Sequence, residues 1–376
     1  MRKILFVANV AKEHILKFHV PTIKKLTEEG WIVDVACNGD EVVPYVRTQY
    51  KMKWKRNPIS INTLFGIREL RKILEAEKYD IVYCHTPTGG VVTRLAARKV
   101  RKSGTKVVYF AHGLHFFKKS PLISWLLFYP IEKYLSRFTD VIITINQEDF
   151  ELVKERFNIK HVYLLPGVGI KVDRFKIEQK ESVRRFYRNQ LNIDEETLVL
   201  IYVAEVNKNK NQKYLLKAIS ELTKTIKNVV LLLVGPDHSG GKTRRSATKM
   251  MLDSNIKFLG WRSDIPQLLC CSDVYVASSI REGFGINLIE AMAAGLPAIA
   301  TRNRGHSTII DDGVNGYLVD LKDFQEMKDC IIRVVENKIE TEAIIKNALH
   351  NIFKYDQDAI TDNILEIFKK VELKID

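Results

Sequence analysis

Two glutamates, Glu282 and Glu290, bracket the run Gly283-Phe284-Gly285, which continues into Glu-Ala-Met-Ala-Ala-Gly-Leu-Pro over 290–297. An apolar stretch ends near Ala277, so the pattern predicts a strand, a glycine-bearing loop and a helix starting near Gly285. Glycines let the backbone approach a ligand closely, and amides at a helix start attract anionic groups such as a diphosphate. Glu282 falls in the loop and Glu290 in the helix, so both can face one ligand. A carboxylate accepts paired hydrogen bonds from the vicinal hydroxyls of a ribose or hexose. The plain alternative is a carboxylate that favours the helix dipole, followed by a solvated helix glutamate. A second stretch, 235–243, reads Gly-Pro-Asp-His-Ser-Gly-Gly-Lys-Thr after an apolar run and approaches a triphosphate-binding loop. Pro236 stands where that loop needs its first glycine and removes an amide from the phosphate cradle, so a nucleoside-triphosphatase is set aside.

The stretch 281–297 resembles the E-x7-E signature of family-four retaining glycosyltransferases, including the flanking Gly-Phe-Gly and the Glu-Ala-Met-Ala-Ala-Gly-Leu-Pro tail. That family adopts the GT-B fold, so the resemblance implies two Rossmann-like domains facing a central cleft. It implies that Glu290 holds the donor ribose and that Glu282 binds hydroxyls of the donor sugar. The amides of Gly283, Phe284 and Gly285 would contact sugar and diphosphate. The run 202–211 is similar to the family's Gly-Arg-x4-Lys loop and places Lys210 on the lysine that neutralises the leaving diphosphate. Ala204 and Glu205 stand where glycine and arginine are usual, so the donor-side position of Glu205 lacks the customary cation. Lys208 and Arg281 are the nearby substitutes.

Val234-Gly235-Pro236-Asp237 resembles a nucleotide-binding loop of the family, and Arg262, in the segment 259–265, falls near the base. Residues 301–306, Thr-Arg-Asn-Arg-Gly-His, occupy the place of a further glycine-bearing loop. His112-Gly113 resembles the family's His-Gly loop, whose histidine reaches the reacting sugar from the opposite domain; by itself such a turn reads as structural. His85-Thr86 opens another strand-to-helix loop with an acceptor-facing role. His14 and His19 sit where relatives carry a Gly-Gly loop, and His14 joins the acceptor-side candidates. The resemblance implies transfer with retention and without a metal, the only co-substrate being a nucleotide-sugar. A nucleotide-sugar epimerase on the same scaffold and a non-catalytic sugar-binding module stay open as alternatives.

These residues need strands and helices to hold them, and both halves of the chain supply the same pattern. Apolar runs predict strands over 4–10, 31–37, 80–84, 106–111, 140–145 and 162–165, with helices over 64–78, 90–102 and 147–157, the last capped by Asn146. The pattern restarts with strands over 198–204, 229–234, 256–259, 273–277, 297–300 and 317–319 and helices over 211–225, 285–294 and 324–336. Strands apolar throughout and separated by helices predict parallel sheets covered on both faces. The charge-rich stretch 167–189 reads as a linker. The expected division is an N-terminal acceptor domain over 1–188, a C-terminal donor domain over 189–355, and a final helical segment, 356–376, packing back on the first.

At 376 residues and 46% hydrophobic composition, the chain suits two globular cores. No export signal or membrane-spanning run is read, and the five scattered cysteines fit neither a disulfide framework nor a zinc spacing, so a cytoplasmic setting is expected. The net charge of +14 is uneven: residues 1–188 carry 35 Lys+Arg against 19 Asp+Glu, and the remainder 24 against 26. The basic first half points to an anionic partner, and no nucleic-acid-reading motif accompanies it. Residues 121–131 are apolar and flanked by Lys118, Lys119 and Lys133, which fits either a buried helix or a segment lying at the inner membrane face beside a lipid-linked saccharide acceptor. The resemblance is closest to enzymes of capsule and exopolysaccharide assembly, and the donor expected from it is a UDP-sugar.

Overall fold

The computed structural model describes residues 1–54, 61–118 and 120–372; Lys119 lies outside them. The chain divides into two compact units, Met1–Gly169 with Gln357–Asp376, and Ile170–Asp356. Each is an α/β unit built on a parallel sheet, as the two sets of apolar runs predict.

The first unit contains β1 (Lys3–Val10), β2 (Ile32–Asn38), β3 (Thr48–Lys51), β4 (Ile81–His85), β5 (Lys106–Ala111), β6 (Val141–Thr144) and β7 (His161–Leu164). Their order across the sheet is β3-β2-β1-β4-β5-β6-β7. Ile4 pairs with Val33 on one side and Ile81 on the other. Residues 4–8 are fully buried, because helices cover both faces of the central strand. β3 was not expected. Its sequence, Thr-Gln-Tyr-Lys, has no apolar run, and as an edge strand it has no second neighbour to bury it.

The second unit contains β8 (Leu198–Val203), β9 (Val229–Val234), β10 (Ile256–Gly260), β11 (Val274–Ala277), β12 (Ala298–Thr301) and β13 (Tyr317–Val319), ordered β10-β9-β8-β11-β12-β13. In both sheets the chain builds outward from one strand, returns, and builds the other way. The reversal falls between β1 and β4 and between β8 and β11. Such switch points leave a crevice beyond the carboxyl ends of the strands, where ligands collect in open α/β sheets.

The expected linker is instead structured: a 3-10 turn spans Val172–Phe175 and a helix spans Lys180–Gln190. That helix is fixed by Arg188, which is fully buried and donates to the carbonyls of Cys271, Asp194, Glu195 and Thr197 and to Asp273 Oδ2. The expected helix over 90–102 divides into Pro87–Ala96 and Arg98–Lys102. The final helix, Gln357–Glu372, lies in the first unit, where Phe368 meets Tyr83 edge-on at 4.9 Å and Lys369 pairs with Glu29 at 3.0 Å.

The apolar stretch 121–131 forms most of the helix Leu122–Ser136, and that helix is inside-out. Leu122, Ile123, Leu126 and Leu127 are 54–74% exposed, while Glu132 is buried. The reason is Arg94 on Pro87–Ala96, which is fully buried and grips Glu132 through two hydrogen bonds of 2.7 and 3.1 Å. A buried guanidinium needs a carboxylate partner, so the pair decides which face of the helix turns inward. Trp125 also faces the unit's interior, donating to the Phe117 carbonyl and packing on Phe116 and Tyr129. Among the described residues no helix is long and apolar enough to cross a membrane.

Candidate active site

The second unit's switch point brings together residues far apart in sequence. Lys210 follows β8 and Glu282 follows β11, and Lys210 Nζ donates to Glu282 Oε1 at 2.5 Å. Ser279 Oγ donates to the same carboxylate oxygen at 2.6 Å and shares a 2.7 Å hydrogen bond with the hydroxyl of buried Tyr202. A fixed lysine and a fixed carboxylate thus meet where the two loops face each other. The loops are also tied through backbone: Ser278 Oγ donates to the Lys210 carbonyl, the Ile280 amide to the Asn209 carbonyl, and Asn209 Nδ2 to the Arg281 carbonyl.

The helix of the glutamate motif runs Ile286–Ala293 with Gly285 as its N-cap residue, and Asn287 Nδ2 pins its first turn to the Val203 carbonyl. Gly283 and Phe284 lie in the preceding loop, Phe284 edge-on to Tyr355, and half-buried Glu290 lies on the helix. The loop after β12 buttresses the other side of Glu282. Asn303 Nδ2 and Thr301 Oγ1 both donate to the Ser279 carbonyl, and His306 Nδ1 lies 2.7 Å from the Thr301 carbonyl. Burial holds the His306 ring below the usual imidazole range, with the Glu282 charge opposing it.

A Cβ at Gly305 would lie 2.6 Å from Glu282 Cβ and 3.0 Å from its carbonyl carbon and oxygen. Gly305→Ala is therefore expected to displace Glu282 and lower kcat/KM by about 10–100-fold, since misplacement on the order of an ångström has that effect. An unchanged kcat/KM in a folded variant would remove Glu282 from the working geometry.

The remaining donor-side candidates are placed as follows. Gly235, at φ +149°, is required by close approach, because a Cβ there would sit 2.3 Å from the Ala204 carbonyl oxygen. Asp237 accepts from the Ser239 amide within its own loop. Glu205 is exposed, and its Oε2 accepts from Asn207. Arg262 is engaged by Asp264, with Nε to Oδ1 at 2.7 Å. The sequence gives no spacing signal for Ser279 or Tyr202, and it marks Asn303 and His306 only as members of a glycine-bearing loop.

In the first unit the histidines gather at its own switch point. His14 and His19 lie on a π-helix, Ala11–His19, that follows β1 directly, where a loop was expected. His85 ends β4 and His112 follows β5. Thr86 caps the next helix through a hydrogen bond from the Gly89 amide, in a conformation with φ 65° and ψ 153°. For a β-branched residue that backbone stores about 1–3 kcal/mol of strain. His19 and His85 are buried, and His112 is half-buried with its Nε2 enclosed. Burial, with lesser repulsion from His14, lowers the His112 imidazole to about 3, and burial holds His19 and His85 well below their ordinary range. All three rings are neutral at neutral pH.

A GT-B architecture with a lysine and a carboxylate set at the second sheet's switch point defines a glycosyltransferase framework, and the comparisons agree. Residues 183–351 match the family described as glycosyl transferases group 1, and residues 3–146 match the glycosyl transferase 4-like family. EpsD of Bacillus subtilis (strain 168), a protein named as a glycosyltransferase, is 43% identical over 324 residues, covering 86% of this chain and 84% of its own. An Escherichia coli UDP-Gal:alpha-D-GlcNAc-diphosphoundecaprenol alpha-1,3-galactosyltransferase is 28% identical over 76% of this chain and 73% of its own. Among solved structures, Anabaena HepE in complex with UDP and glucose superposes with a TM-score of 0.79 at 22% identity, covering 98% of this chain and 100% of that one. The chain belongs to the group 1 family of glycosyltransferases, and its activity is transfer of a glycosyl group.

Proposed function

We propose that this enzyme moves a hexose or N-acetylhexosamine from a UDP-sugar to a lipid-diphosphate-linked polysaccharide precursor, with retention of anomeric configuration. The observation that carries the reading is the linked set Tyr202–Ser279–Glu282–Lys210 at the switch point of the second sheet. Lys210 stabilises the charge that develops on the leaving diphosphate as the bond to the anomeric carbon breaks. Glu282 and His112 orient the sugar, Glu290 holds the ribose, and the acceptor side is assigned to the surroundings of His14, His85 and Thr86. Transfer takes the acceptor hydroxyl to the face the diphosphate leaves, and its cation is the lysine rather than a metal. UDP and a galactosyl–lipid-diphosphate system occur in the names of the HepE complex and the E. coli relative, which supports the choice of donor and acceptor class.

The test is a donor screen measuring nucleotide release with and without a lipid-linked saccharide. Release that depends on acceptor, and falls in Glu290→Ala, supports transfer. Equal release without acceptor, or full activity in Glu290→Ala and Lys210→Ala together, defeats the site assignment.

The reading includes peripheral contact with the inner face of the cell membrane through the helix Leu122–Ser136. Its outward row of Leu122, Ile123, Leu126 and Leu127 is bordered by exposed Lys118, Lys133 and Arg137, a combination that suits an anionic bilayer interface. Each buried leucine is worth about 1.5–3 kcal/mol. The double change Leu126→Ser with Leu127→Ser is therefore expected to weaken sedimentation with anionic vesicles by at least about 10-fold. Undiminished vesicle binding in that variant would remove the helix from membrane contact.

A further inference from the structure

The charges gathered at the second unit's switch point do not balance the leaving group assigned to it. A diphosphate carries negative charge on both phosphates and gains more as the sugar departs, so its release calls for clamping cations. The Lys210 ammonium is already met by the Glu282 carboxylate, and the start of the helix Ile286–Ala293 adds only about half a positive charge. Exposed Glu205 brings the opposite sign. His306 is buried, which holds its ring below the usual imidazole range, and it is neutral at neutral pH. Among the other cations on the surrounding loops, Lys208 and Arg281 are exposed, and Arg302 is occupied by Asp312 and the Leu318 carbonyl.

Arg304 differs from these. It is half-buried on the loop after β12, and its Nε donates to the Glu282 carbonyl at 3.3 Å. That carbonyl belongs to the same peptide as the Gly283 amide, one of the groups expected on the donor. Carbonyl oxygen and amide nitrogen of one peptide are about 2.3 Å apart, so the guanidinium centre lies within about 7 Å of the Gly283 nitrogen. The backbone around Arg304 is pinned. Asn303 Oδ1 accepts from the amides of Gly305 and His306 at 3.1 and 3.0 Å, and Thr308 Oγ1 donates to the Arg304 carbonyl at 2.8 Å.

We propose that Arg304 is a catalytic residue, the second cation of the transfer, and that its guanidinium takes the β-phosphate of the departing diphosphate alongside Lys210. The proposal rests on the transfer reading above. As the bond from the anomeric carbon to the β-phosphate oxygen breaks, its electron pair stays on that oxygen. The acceptor oxygen bonds to the anomeric carbon, and its proton passes to the departing phosphate. A guanidinium suits the developing charge because it stays protonated and its planar fork meets a phosphate through two parallel hydrogen bonds. Cations from the loops after β8 and β12 then share the diphosphate, and Glu282 is left to the sugar hydroxyls.

Calorimetric binding of UDP and of UMP to the full-length protein isolates the β-phosphate. The unaltered protein should bind UDP more tightly than UMP. Arg304→Gln should shrink that preference by about 10-fold or more, the worth of a hydrogen bond to a charged group, while UMP binding changes little. Its kcat for nucleotide release should fall by about 100-fold. Arg304→Lys, which keeps the charge but not the fork, should recover part of both losses. Circular dichroism identifies a variant that has not folded, and Arg304→Met, also uncharged and of similar length, decides if Arg304→Gln does not fold. An arginine that only braces the loop would weaken UDP and UMP alike. An unchanged preference for UDP in a folded, uncharged variant therefore overturns the proposal and leaves the transfer reading standing. Failure of the unaltered protein to bind UDP overturns both.

Discussion

Replacing Lys210 by alanine is expected to lower kcat by about 100–1,000-fold, the scale seen when one preorganised donor to a developing charge is removed. The lysine is held before any donor arrives: its amide donates to Asn207 Oδ1, its carbonyl accepts from Ser278, and its ammonium group contacts Glu282. Such a group needs little reorganisation as the diphosphate departs. The position where the resembling family carries an arginine, on the same loop ahead of the lysine, is here the exposed Glu205, which cannot share the task. KM for the donor should change less than kcat, because the interaction strengthens as charge develops. Steady-state nucleotide release, with acceptor saturating, provides the measurement. A kcat within threefold of the unaltered enzyme would assign the leaving-group charge elsewhere.

Arg94→Ala is expected to destabilise the protein by about 3–5 kcal/mol, since it leaves Glu132 buried without its partner. Arg94 also donates to the Gly90 carbonyl at 2.9 Å and lies 4.1 Å over the Tyr109 ring, so the change removes packing as well as charge. Arg94→Lys keeps the charge but lacks the planar fork that meets both carboxylate oxygens, and should recover only part of the loss. The informative variant is Arg94→Met with Glu132→Leu, which removes both charges while filling similar space. It should be closer to the unaltered protein than Arg94→Ala is. Urea unfolding, monitored by a probe in the first unit, checks the order. A double variant no better than Arg94→Ala would show that the guanidinium acts through packing alone.

The strands were legible because both sheets are parallel and covered, so their apolar runs carry no alternation to confuse. β3 escaped because an edge strand of Thr-Gln-Tyr-Lys has the composition of a loop. Arg94 and Glu132 were invisible for a related reason: charged residues in an amphipathic pattern read as solvated, and only the fold shows that this pair is turned inward. The resemblance reached Lys210 and Glu282 across 72 positions, and the structure joins them. It could not reach Ser279 or Tyr202, since a serine at a strand end and a tyrosine in an apolar run have no characteristic spacing. The histidine cluster was harder still. His19, His85 and His112 come from three connections, and five-residue spacing between His14 and His19 is out of phase with an α-helix.

The π-helix after β1 makes that segment sensitive to the number of its residues more than to their identity. Ala11–His19 closes its turns with one residue more than an α-helix would use. Removing one residue between His14 and His19 leaves them four apart, about 40° on an α-helix, so ordinary winding then keeps them on one side; removing one ahead of His14 leaves the spacing at five, and the same winding turns them about 140° apart. In comparisons with relatives, the place of a one-residue gap relative to His14 therefore decides whether the two histidines share a side, even where both are present.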